Sequence, residues 1–402
     1  MSSSPAVTVR RRAAAAGARA GAAGARAGAA AAGIAGRAAA AAKFFAVEYS
    51  IWLIIGVLVL MIILWIVGKH NLEGTDGKNC TNMDTLYSDF PPISSVNASS
   101  DKYSYSLRDY YIKTAYNCCS AGEYKNDFVN TCALENCIRA GARCLDFEVY
   151  SVKNAPVIAV SSFEDYHTKE SYNSVPFGDA MATIASHAFS SGTTTCNNDP
   201  LIIHLRIKSR NKQIYKQITK DIYDNLENYL LGKEYSYENH GKNLGQTKLK
   251  ELMKKVIIIV DNANPLFSET PLNEYVNITS NSVFMRALQY HDVKFTHNMD
   301  ELIGFNKKNM TICLPDLTAT TNNPSASVAM AYGCQMVAMS FQNFDANMEY
   351  MAMFFDEAGS AFALKPERLR YIPITVPDPK PQNPAYSYAT RNVSSDFYSF
   401  NI

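Results

Sequence analysis

The first 43 residues contain no aspartate or glutamate, and no aromatic side chain interleaves their arginines. The missing acids leave Arg10, Arg11, Arg12, Arg19, Arg26, Arg37 and Lys43 uncompensated, so this stretch is a basic tail. The missing aromatics argue against base stacking, while purely electrostatic attraction to anionic lipid or nucleic acid stays open. The tail also lacks an apolar stripe: residues 17–23 (GARAGAA) repeat as 24–30, and the glycines oppose the helix that alanine favours. With nothing to bury, residues 1–43 are expected to be disordered. No C-x-x-C pair occurs among the nine cysteines, which argues against a structural zinc site.

The tail leads into the longest apolar run in the chain. Residues 51–67 (IWLIIGVLVLMIILWIV) carry no charge, and with Phe44 to Val47 they are long enough to cross a bilayer. Trp52 and Trp65 sit near the two ends, where indole rings favour the interface. The run is longer than the core of a cleaved signal peptide and has no small-residue cleavage site, so residues 44–68 read as a signal anchor. Seven basic residues precede it, which places the N-terminus in the cytoplasm and the rest of the chain on the lumenal or extracellular side. Five sequons, at Asn79, Asn97, Asn277, Asn309 and Asn392, agree with that side. So do nine cysteines all lying between Cys80 and Cys334, a density that suits a disulfide-permissive compartment. Residues 69–105 are polar with Pro91-Pro92, and read as a stalk.

Beyond residue 106 the pattern alternates between strand and helix, which suits a parallel α/β barrel. The chain's 402 residues allow one such domain, which takes about 250, plus appendages. Strands are expected at 144–150, 201–206, 256–260 and 335–341, helices at 133–142, 174–190 and 212–231, and a short helix at 248–255. The Pro-rich stretch 373–384 reads as an extended tail.

In the strand 144–150, Leu145, Phe147 and Val149 share one face, so Asp146 and Glu148 share the other, about 6.5–7 Å apart. Two carboxylates aimed the same way need a positive partner between them. Either a divalent cation or an arginine can fill that place.

The residues around this strand resemble the catalytic half of phosphoinositide-specific phospholipase C. The family's Y-F-I-S-S-S-H-N segment corresponds to residues 110–117 (YYIKTAYN), and its G-C-R-C-I-E-L-D strand to 141–148 (GARCLDFE). Residues 174–190 correspond to its helix ending in H-A-F, 200–206 to its P-V-I-L-S-L-E strand, 333–338 (GCQMVA) to G-C-Q-M-V-A, and 364–366 to L-K-P. The resemblance covers about 106–370 and implies a distorted TIM-type phosphodiesterase barrel, with halves at 106–262 and 263–370 and a tail at 371–402. The short joint at 261–271 leaves no space for a regulatory insert, and no C2-like, EF-hand or pleckstrin-type domain fits in the chain.

The resemblance also implies a reaction with two histidines and one calcium ion, and this is where the chain departs. The first histidine position holds Tyr116, followed by the family's Asn as Asn117. The second holds Val160. A phenol is a weak base at neutral pH and a valine cannot move a proton. The two strand acids persist with sizes exchanged, as Asp146 and Glu148, but the last calcium ligand is Arg206, a permanent cation. The family's phosphate-binding lysines fall on 260–262 (VDN), and its R-x-x-S-S-N-Y segment has no counterpart in 315–324. His167, His187 and His204 are the remaining histidines that could stand in, and each reads as a satisfied structural residue.

The expected protein is therefore a membrane-anchored phospholipase C-like pseudoenzyme, a binding or structural module with no intact catalytic residue. Its vestigial site is Asn117, Asp146, Glu148 and Arg206, with Arg206 in the metal's place. No cofactor is expected; calcium, on Asn117, Asp146 and Glu148, belongs to the opposite reading of an active phosphodiesterase with a rearranged mechanism. A phospholipid or inositol-phosphate-like ligand fits the barrel, and a structural envelope protein with an anion-gripping tail is the reading from another class. Cys144 and Cys334 are expected as reduced core residues and Cys313 as buried. Cys80, Cys118, Cys119, Cys132, Cys137 and Cys196 could form up to three bridges, of undetermined connectivity.

Overall fold

The computed structural model describes residues 5–88, 90, 92–165, 168–236, 242–374, 376–383 and 386–402. The chain forms two compact units, 1–77 and 78–402. The first is helical: a single helix, α1 (Pro5–Ser88), begins in the basic tail. This corrects the expectation of a disordered tail. Alanine has the highest helix propensity, and here it outweighs the interspersed glycines. One stretch of α1 is long and apolar enough to cross a membrane.

In the second unit the expected stalk is replaced by ordered structure. The last turns of α1 place Cys80, Met83 and Tyr87 at helical spacing, and Met83 and Tyr87 are buried. The Tyr87 hydroxyl donates to the Phe341 carbonyl at 2.7 Å, and Asn136 donates to Asp84 at 2.9 Å. A disulfide joins Cys80 to Cys132. Of the six candidate thiols only this pair is bridged; Cys118, Cys119, Cys137 and Cys196 are buried and free, as are Cys144, Cys313 and Cys334.

The barrel is built in chain order from β1 (Tyr110–Ala115), α2 (Thr131–Arg139), β2 (Cys144–Val152), a short antiparallel pair β3 (Ala155–Ile158) and β4 (Val175–Pro176), α3 (Phe177–His187), β5 (Leu201–Ile207), α4 (Lys212–Leu226) and β6 (Val256–Asp261). The second half adds β7 (Ile278–Ser280), β8 (Met285–Gln289), α5 (Tyr290–Lys294), α6 (Met299–Lys308), β9 (Met310–Leu314), α7 (Ala326–Ala331), β10 (Met336–Met339), α8 (Ala346–Ala358) and β11 (Phe362–Leu364). Eight parallel strands run in the order β7-β6-β5-β2-β1-β10-β9-β8, a nearly closed barrel whose seam lies between β7 and β8. β1, β5, β6, β7, β9 and β10 are buried along their whole length, as parallel strands covered by helices must be.

Three helices are clearly shorter than their patterns suggest, α3 being confined to Phe177–His187. α4 gives way to a 3-10 turn at Glu227–Tyr229, and 248–255 holds only the 3-10 turn Leu249–Glu251. The tail is not wholly extended: β12 (Asn392–Ser395) and β13 (Tyr398–Asn401) form an antiparallel hairpin.

Candidate functional site

Parallel pairing of β2 with β5 sets Asp146 opposite His204 and Glu148 opposite Arg206. The shared register, together with the period-two alternation of both strands, brings these four side chains together inside the barrel. The loop leaving β1 supplies Tyr116 and Asn117. Asn117 adopts a left-handed φ of 44°, a conformation asparagine tolerates, and its backbone N–H donates to Asp146 Oδ2 at 3.2 Å.

Arg206 sits at the centre and is 4% exposed. Its Nε donates to Asp146 Oδ1 at 3.0 Å and its Nη2 to Asp146 Oδ2 at 2.6 Å, a bidentate pair. Nη1 donates to Glu148 Oε1 at 2.6 Å, and Nη2 also reaches Asn117 Oδ1 at 2.9 Å. The guanidinium lies 4.7 Å from the Tyr116 ring centre, a cation–π contact. Glu148 is completed by the Tyr150 hydroxyl, which donates to Oε2 at 2.9 Å. Burial pushes the Asp146 carboxyl up, but Arg206 and His204 outweigh it and hold the group well below the ordinary carboxylate range. Burial likewise opposes a charged Arg206, and Asp146 foremost outweighs it, raising the guanidinium further.

A calcium ion does not fit these residues. Asn117 Oδ1, both Asp146 oxygens and Glu148 Oε1, the acceptors that the family resemblance implies as ligands, already receive hydrogen bonds from Arg206, and the other Glu148 oxygen accepts from the Tyr150 hydroxyl. Among Asn117, Asp146, Glu148 and Arg206, the buried side-chain atom left without a partner is Asn117 Nδ2, a donor rather than a metal ligand. Among the described residues no group of three or more His, Cys, Asp or Glu is arranged to hold a metal.

Neither family histidine position offers proton transfer. Tyr116 is buried, burial raises its hydroxyl well above the ordinary phenol range, and its ring packs edge-on against Tyr124 at 5.5 Å. Val160 is buried just beyond β3. His187 lies on the outer face of α3, within 2.9 Å of the Thr183 carbonyl and 4.0 Å from Glu135. His167 lies outside the described residues. His204 is fully buried: its Nδ1 donates to Asp146 Oδ1 at 2.7 Å, and its Nε2 meets Ser280 Oγ at 3.0 Å. Ser280, His204 and Asp146 thus form a hydroxyl–imidazole–carboxylate chain, but all three are 0% exposed and Asp146 is also held by Arg206. The arrangement can orient a buried ion pair; it offers no open nucleophile.

Sequence reasoning missed three members of this cluster. Tyr150 could have been found, since it shares the face of Asp146 and Glu148. Ser280 approaches across the barrel, and Tyr124 comes from an irregular loop to bond Ser340 through its hydroxyl. Neither has a local signal. Asp261 stands at the end of β6 and accepts from Asn281 at 2.7 Å, so the 260–262 segment presents an acid where the family presents lysines.

Residues 103–262 match the phosphatidylinositol-specific phospholipase C X domain, and residues 264–368 match its Y domain. Among solved structures, PLC21 from S. officinalis superposes with a TM-score of 0.54 at 18% identity, over 68% of this chain and 39% of that one. PLC21 from L. pealei gives 0.53 at 18%, over 70% and 40%. The chain therefore spans about two fifths of these relatives' length, and at this identity they establish the fold alone. A search of curated proteins finds no match.

Proposed function

This chain belongs to the phosphatidylinositol-specific phospholipase C family, and from that membership we propose that it is a membrane-anchored member which has given up catalysis and serves as a binding or structural module. The observation that carries this reading is the Arg206 guanidinium bonded to Asp146, Glu148 and Asn117, with the shortest contacts at 2.6 Å. A permanent cation replaces the metal, and the two proton-transfer positions hold Tyr116 and Val160. Losing all three roles together leaves no route for attack on phosphorus. Anchoring is supported by the apolar stretch of α1, and a barrel outside the cytoplasm by the basic tail and the Cys80–Cys132 disulfide.

Hydrolysis of phosphatidylinositol and of glycerophosphodiesters by the full chain in lipid nanodiscs, with and without millimolar calcium, tests the reading. No turnover above a denatured control is expected in either condition. Calcium-dependent release of inositol phosphate would overturn it in favour of an active enzyme.

A further inference from the structure

A concave feature lies at the C-terminal rim of the barrel, a cleft of about 320 Å³. One wall is the end of α1, through Asn79, Asn82, Met83 and Leu86. The other is the loop after β1, with Glu123 and Asp127, closed off by Gln342 and Asn343 beyond β10. The same loop separates the cleft from Arg206: Tyr124 turns inward to Ser340 and Tyr116, while Glu123 faces the cleft. The α1 wall precedes residue 103, where the match to the family begins, so the cleft is not built from family positions alone.

The walls are fixed before any ligand arrives. Asp127 accepts from Asn79 Nδ2 at 3.0 Å on one side and from the Glu123 and Phe128 backbone N–H groups at 3.0 and 2.8 Å on the other. The Cys80–Cys132 disulfide ties the same two elements covalently. Gly122 leaves space for this arrangement, because a Cβ at that position would displace the Asp127 carboxylate and the Asn79 amide.

The lining decides what could bind. It contains no lysine, arginine or histidine and two carboxylates, so a phosphate or other anion is disfavoured. Three amides spend an N–H inside the protein: Asn79 on Asp127, Gln342 on the Gly122 carbonyl at 3.2 Å and Asn343 on the Thr321 carbonyl at 3.0 Å. The amide oxygens of the lining, that of exposed Asn82 among them, and the exposed Glu123 carboxylate, which also accepts from the Thr321 backbone N–H, make the cleft rich in acceptors, while Leu86 supplies an apolar flank. We propose that this cleft binds a neutral, hydroxyl-rich ring of monosaccharide size, whose hydroxyls donate to these oxygens and whose C–H face meets Leu86. The proposal does not depend on whether the barrel is catalytically silent.

Saturation-transfer NMR on the full chain in phosphatidylcholine nanodiscs, with the methyl glycosides of glucose, galactose and mannose and with inositol 1-phosphate, tests it. At least one methyl glycoside should bind saturably, and more tightly than inositol phosphate. Asn82 and Glu123 are both exposed, so Asn82→Ala and Glu123→Ala should leave the fold intact. Each should weaken binding about fivefold, the worth of one hydrogen bond. No saturable binding of any glycoside, affinity unchanged in either variant, or tighter binding of the phosphorylated ring would each overturn the proposal.

Discussion

At the scale of single residues, the centre of the barrel is an ion cluster with almost no solvent. Asp146 accepts from Arg206 twice, from His204 and from the Asn117 backbone, which leaves no lone pair idle. Such clusters are costly to break, because removing one member strands the others' charge in a dry site. Arg206→Ala or Asp146→Asn should each destabilise the protein by about 3–5 kcal/mol, measured as a shift in urea midpoint. Arg206→Lys should recover only part of the loss, since an ammonium cannot make the bidentate pair. The pH dependence comes from the direction of the Asp146 shift. Its folded value lies below the unfolded one of about 3.9, so its stabilisation is present at neutral pH and declines as pH falls below about 4. The loss of stability between pH 5 and pH 3 should therefore be smaller in Asp146→Asn than in the native chain; equal slopes would contradict the assignment. The acids and the arginine are legible in the sequence because each sits in a strand whose alternation fixes its face. His204 reads as satisfied, but its partners Asp146 and Ser280 depend on register across strands, which no local pattern encodes.

At the scale of elements, the strands β2, β5 and β6 can be read because an alternating or continuous apolar run is a local property. The end of α1 cannot. Its buried face is only Cys80, Met83, Leu86 and Tyr87, and its partners lie as far away as Phe341, 254 positions from Tyr87. A polar segment with two prolines after it resembles a stalk until the barrel supplies something to pack against. The Cys80–Cys132 bridge closes a sequence separation of 52 residues, which corresponds to about 4 kcal/mol in the chain-entropy account. Cys80→Ser paired with Cys132→Ser should lower the thermal midpoint, and reducing agent should destabilise the native chain but not the double variant. A native midpoint indifferent to reductant would show the bridge absent.

At the scale of the whole molecule, the exposure of the sequons bears on where the barrel resides. Asn97 and Asn392 are exposed. Asn277 is buried and committed: its Oδ1 accepts from the Ile258 N–H at 2.8 Å, and its Nδ2 donates to the Tyr235 carbonyl at 3.3 Å. If the barrel is translocated, peptide mapping of chain expressed in a eukaryotic host should find glycan at Asn97 and Asn392 and none at Asn277. Protease added outside sealed microsomes should then cut only the N-terminal tail. Digestion of the barrel with protection of the tail would reverse the orientation.

In the proposed reading, Arg206 stands where a catalytic calcium ion would be held. Calorimetric titration of calcium into the full chain, set beside the Arg206→Glu variant, tests it most directly. The native chain should give no saturable heat up to millimolar calcium. Arg206→Glu places a third carboxylate among Asp146, Glu148 and Asn117, and it should be poorly folded without calcium and gain thermal stability when calcium is added. Saturable calcium binding by the native chain, abolished by Asp146→Asn, would show that Arg206 does not fill the metal's place.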